Sequence, residues 1–103
     1  MSRDENIEYI KDHCPMAHRL AQLAEECAEL SQAALKCLRV AGLGTPTPVT
    51  PVMANLMLMD EMADVLSCIL VIEARENIES GYICDQMNDK LRRWVDRLRE
   101  AEN

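Results

Sequence analysis

At 103 residues and a net charge of −7, the chain has length for one domain, 1–103, and too few cations to make nucleic acid or an anionic membrane its main partner. Hydrophobic residues make up 49% of it, yet there is no Phe, one Trp and two Tyr, so Leu, Ala, Met, Val, Ile and Cys must build the core. That composition favours helices packed on helices, an all-α fold.

Residues Asp4–His13 read as a short helix, with Ser2 or Asp4 as N-cap and acidic residues in the first turn. Pro15 breaks it. A long second helix is expected from Met16 to about Ala41, with Gly42 placed to end it in a left-handed cap. Leu20, Leu23, Cys27, Leu30, Ala34 and Cys37 recur at steps of three and four and form its expected inward stripe. Ala21, Ala24 and Ala28 make a second, small-residue flank that would let another helix come close. Gln22, Glu25, Glu26, Glu29 and Lys36 lie between these and solvent, with Glu26 at the rim of the stripe.

The stretch GLGTPTPVTPV, Gly42–Val52, holds three of the four prolines and reads as an ordered loop. Thr50-Pro51 then predicts an N-cap followed by Pro at the first helical position. The third helix is expected from about Pro51 to Asn77, a turn over Asn77–Gly81, and a last helix from about Tyr82 to Ala101. Ile83, Met87, Leu91, Trp94, Val95 and Leu98 form the inner face of that last helix, bordered by Lys90 and Arg97, with Arg93 further round. Trp94 reads as a core residue before a base-stacking one.

Five cysteines, Cys14, Cys27, Cys37, Cys68 and Cys84, are odd in number and form no CxxC. Four sit at apolar-face positions of expected helices, which reads as reduced, buried thiols in a cytoplasmic protein. The polar start Ser2-Arg3-Asp4-Glu5 is not a signal peptide, and Val65–Ile72 is too short an uncharged run to span a bilayer.

The third helix carries the conflict that points to function. Met57–Ile72 is apolar on nearly every side, with Asp60, Glu61 and Asp64 as its only charges. Glu61 and Asp64 share a face with Met57, Cys68, Val71 and Ile72. An unpaired carboxylate in such surroundings is costly, so a cation or a ring of basic groups must stabilise both. A helix apolar all round also exceeds what so short a chain can cover, and a second copy is the expected remedy: a homodimer or homotetramer.

With the second and third helices antiparallel, Glu26-x-x-Glu29 and Glu61-x-x-Asp64 converge. Four carboxylates repel unless a cation sits among them, and an all-oxygen set suits Mg²⁺, or Mn²⁺ in its place. No His follows a Glu at the spacing of carboxylate-bridged di-iron bundles, so iron and zinc are disfavoured.

The pattern Glu25-Glu26-x-x-Glu29 followed by Glu61-x-x-Asp64 resembles the EExxE…ExxD signature of the all-α NTP pyrophosphohydrolases. That superfamily includes MazG-like proteins, dimeric dUTPases and phosphoribosyl-ATP pyrophosphohydrolases. QLAEECAELSQAALK and NLMLMDEMADVLSCI look like MazG-like members, and Asn88-Asp89-Lys90-Leu91-x-Arg93 resembles a basic element on their last helix. The similarity covers roughly Leu20 to Leu98. It implies a MazG-like bundle of about four helices completed by oligomerisation, with Glu26, Glu29, Glu61 and Asp64 as Mg²⁺ ligands. It further implies that Lys90 and Arg93, with Arg97, hold phosphate oxygens of a nucleoside triphosphate, and Asn88 is a candidate substrate contact beside them. Gln22 and Lys36 are candidate ligand contacts, and Glu25 a candidate proton acceptor. The 31 residues between Glu29 and Glu61 are long for the signature, and the Thr/Pro loop accounts for the excess. Two other readings stay open: a non-enzymatic helical module with salt-bridged acids, and a phosphoribosyl-ATP pyrophosphohydrolase.

Overall fold

The computed structural model describes residues 1–73 and 81–102. Among them it is all helix: α1 (Arg3–His13), α2 (Met16–Val40), α3 (Pro51–Ile72) and α4 (Tyr82–Glu102). The chain divides into two compact units, Met1–Ile72 and Glu73–Asn103. None of these helices is long and apolar enough to cross a membrane. The expected continuation of the third helix to Asn77, and most of the turn before Gly81, lie outside the described residues.

Local chemistry sets the helix ends. Ser2 closes a capping box on α1: its hydroxyl accepts from the Glu5 N–H and the Glu5 carboxylate accepts from the Ser2 N–H, both at 3.1 Å. The Ser2 N–H, and after it the Ser2 side chain, favour the ionised carboxylate and hold the Glu5 pKa below its ordinary value. At the end of α2, Gly42 takes φ 89°, its N–H reaches Arg39 O, and the Leu43 N–H reaches Leu38 O. This double closure needs a left-handed residue at Gly42. Thr50 caps α3, its hydroxyl accepting from the Met53 N–H at 3.2 Å.

In the first unit, α2 and α3 run antiparallel. Arg19 near the start of α2 donates to Val71 O near the end of α3, while the Cys37 thiol near the end of α2 donates to Ala54 O. The residues of α2 withdrawn from solvent include Arg19, Leu23, Glu26, Leu30, Ala33, Cys37 and Val40. Those of α3 include Ala54, Leu58, Glu61, Val65, Cys68 and Ile72. Both sets alternate steps of four and three, the period of a coiled-coil seam. α1 packs on α3.

This seam corrects the stripe read from sequence. Leu23, Leu30 and Cys37 face inward as expected, but Leu20, Cys27 and Ala34 are exposed, and Arg19, Glu26 and Ala33 take their places. A stripe drawn through apolar residues alone rotates away from the true contact, because two of its positions are charged. Cys27 is correspondingly not the buried thiol expected of it, although all five cysteines are free. Ala21, Ala24 and Ala28 are exposed as a flank.

The core of this unit is thin. Only Ala33, Ala54, Cys68 and Arg19 are buried among the described residues. The outward side of α3 presents Val52, Leu56, Met59 and Leu66, each about half exposed or more. A Leu or Met left half exposed forgoes about half of the roughly 1.5–3 kcal/mol that full burial would contribute. In the second unit, α4 is strongly amphipathic, with Met87, Leu91, Trp94, Val95 and Leu98 along one side, all exposed. Trp94 is 58% exposed, which corrects the core reading of that residue.

Candidate metal centre

Midway along the α2–α3 seam, the period that elsewhere pairs apolar side chains brings carboxylates together. Glu26 and Glu61 occupy seam positions and are half-buried, whereas Glu29 and Asp64, three residues on along each helix, lie exposed at the edge. Because the helices are antiparallel, Glu26 is set against Asp64 and Glu29 against Glu61. One carboxylate oxygen from each of the four lies within 4.8 Å of the others.

Gln22, one turn before Glu26, donates its amide to Glu26 Oε1 at 2.8 Å. The second oxygen, Glu26 Oε2, is buried without a hydrogen-bond partner among the described residues, and so is Glu61 Oε2. Buried oxygens of this kind are rare in folded proteins, and each calls for a partner. Neither ion pair among the described residues, Lys11–Glu8 or Arg92–Asp89, involves the four acids.

The electrostatics follow from this crowding. Desolvation pushes the Glu61 pKa above its ordinary value, and the charges of Glu29, Asp64 and Glu26 push in the same direction. Asp64 is raised too, by desolvation first, then by Glu26 and Asp60. Burial, followed by the Glu26 and Asp64 charges, raises the Cys68 thiol. That keeps Cys68 protonated and unreactive at neutral pH.

These residues fit a hard divalent cation. The donors are all carboxylate oxygens, the two unpartnered atoms come from opposite helices, and the exposed edge leaves room for water or ligand oxygens.

The remaining sequence candidates fall elsewhere. Glu25 is exposed and outside the group of four. Lys36 is half-buried, about two turns past Glu29 on α2. Asn88 makes a weak 3.9 Å contact to the Cys84 sulfur within α4. Lys90, Arg93 and Arg97 share an open groove on α4 with Met87, Leu91 and Trp94 in the second unit.

Sequence reading passed over Arg19. It is 9% exposed, donates through Nε to Cys14 O at 2.9 Å and through Nη1 to Val71 O at 2.6 Å, and so ties the start of α2 to the end of α3. The available signal was its register, seven residues before Glu26 at the same seam position. In comparisons with known proteins, no family model, no curated protein and no solved structure matches the chain.

Proposed function

We propose that the chain is a Mg²⁺-dependent nucleotide pyrophosphohydrolase of the MazG-like kind, cleaving a nucleoside triphosphate to the monophosphate and pyrophosphate. The observation that carries the reading is the convergence of Glu26, Glu29, Glu61 and Asp64 from two antiparallel helices, with two buried oxygens that have no partner among the described residues. These four would hold Mg²⁺, or Mn²⁺ in its place. Such an ion neutralises phosphate charge and lowers the pKa of a bound water.

The chain's own residues supply the rest. Gln22 fixes one oxygen of Glu26 and so aims the other toward the group. The exposed carboxylates at the seam edge face the side from which a phosphate chain can approach. Lys90, Arg93 and Arg97 are assigned to phosphate oxygens, where fixed cations stabilise charge that develops during transfer, and Asn88 to a further substrate contact. Glu25, exposed and next in sequence to Glu26, is assigned as proton acceptor.

The proposal includes a second copy of the chain. Val52, Leu56, Met59 and Leu66 repeat the coiled-coil spacing on the outward side of α3, so that helix carries two apolar seams and the first unit covers one.

The test is pyrophosphate release from a panel of NTPs and dNTPs with Mg²⁺, using Glu61→Gln as matched control. Turnover by the wild type and its loss in the variant are expected. Full activity in Glu61→Gln would overturn the metal assignment.

A further inference from the structure

One turn beyond the carboxylates, toward the start of α2, lies an open pocket of about 290 Å³ among α1, α2 and α3. Ile10, Cys68 and Val71 give it an apolar lining, and Arg19, Gln22 and Ser67 give it polar groups. It adjoins the acid group directly, since Gln22 both lines the pocket and donates to Glu26. A molecule with its phosphates at the carboxylates would place its far end here. Arg19 and Glu26 are separated by about 10 Å along the helix axis, enough for a sugar between.

The volume and the lining limit what fits. Whole drug-sized ligands occupy about 300–1,000 Å³, so this pocket takes a ring system rather than a complete nucleotide. A phosphate would find one cation and a mostly apolar wall. A flat heterocycle finds apolar sides, one donor-only group in Arg19, and His18, Gln22 and Ser67, which can accept as well as donate. Of the five guanidinium N–H bonds, the hydrogen bonds to Cys14 O and Val71 O use one at Nε and one at Nη1. Arg19 Nη2 has no partner among the described residues, and no carboxylate there pairs with this cation. A guanidinium only donates, so whatever faces it must accept.

We infer that this pocket is a nucleobase site in which Arg19 reads the C4 edge of a pyrimidine or the C6 edge of a purine and selects a carbonyl there over an amino group: uracil, thymine or guanine rather than cytosine or adenine. The inference rests on the pyrophosphohydrolase reading and names the substrate class of that same site. An amino group turned toward Arg19 would set donor against donor in a confined space, and buried donors without acceptors discriminate strongly.

The experiment is calorimetric titration of the full chain, with Mg²⁺, using non-hydrolysable α,β-methylene analogues of UTP, GTP, CTP and ATP, and inorganic pyrophosphate alone. The uridine and guanosine analogues are expected to bind about ten-fold or more tighter than the other two. Ser67→Leu, which fills the pocket from an exposed position, should bring that ratio toward one while the circular dichroism spectrum stays that of the wild type. Arg19→Lys should shrink it as well, because an ammonium lacks the planar fork. Equal affinity for all four analogues, or preference for the cytidine or adenosine analogue, would overturn the inference. Pyrophosphate binding without base discrimination places the failure in the pocket alone. No binding of pyrophosphate or of any analogue would remove the metal reading itself.

Discussion

The α2–α3 seam has two ends built on one repeat and opposite chemistry. Toward the loop, Ala33 is buried and Cys37 meets Ala54, which is 1% exposed with its carbonyl accepting from the Cys37 thiol. Small side chains let the helix backbones approach there, and the contact is apolar. Two turns away along α2, the same period delivers Glu26 to Glu61 and Asp64, and the result is crowded charge with two unpartnered oxygens. The repeat decides where side chains meet. The residue placed at the meeting point decides whether that point stabilises the fold or asks for a ligand.

Removing one carboxylate should have the largest effect. Glu61→Gln is expected to reduce turnover by more than the roughly 10–100-fold that loss of an outer partner of a metal ligand costs. Steady-state pyrophosphate release reads this out. At the apolar end the corresponding change acts on stability alone. Ala54→Leu forces a larger side chain into a fully buried part of the seam, and about 1–3 kcal/mol of destabilisation is expected in urea unfolding, with or without Mg²⁺. A Mg²⁺-dependent penalty at Ala54 would erase the distinction between the ends. Loss of the Thr50 cap should cost about 1 kcal/mol in Thr50→Ala, visible as a melting point lower by about 4–8 °C.

The smallest effect is in pH and has a definite sign. Glu61 and Asp64 have folded-state pKa values above their ordinary ones, so between neutrality and the ordinary carboxylate range the folded chain binds more protons than the unfolded one. Without metal, stability should therefore rise as pH falls from neutral through the raised values, and level off once the ordinary values are reached. Glu61→Gln should flatten that rise. Bound Mg²⁺ should oppose it, because protons and the ion compete for the same oxygens. Urea midpoints across that range, with and without Mg²⁺, give both slopes.

Much of this was legible in the chain, for physical reasons that differ by residue. Ser2, Gly42 and Thr50 announce helix ends because capping is local chemistry, and all three act as read. The acid pairs were legible because carboxylates three apart on an apolar helix conflict with burial. The seam itself was misread by one position, at Leu20, Cys27 and Ala34. Apolarity alone cannot reveal that Arg19 is held inward by two carbonyls from separate parts of the chain. The pocket beside Arg19 was invisible for the same reason: Ile10, Gln22 and Ser67 come from three helices and meet only in the fold.

Thermal melting of the wild type and Glu61→Gln across a Mg²⁺ titration tests the central claim most directly. The wild-type melting temperature should climb with millimolar Mg²⁺, as ligand linkage requires. The variant, relieved of one charge, should melt higher than the wild type without metal and respond weakly to the ion. A wild-type melting curve indifferent to Mg²⁺ would contradict the account.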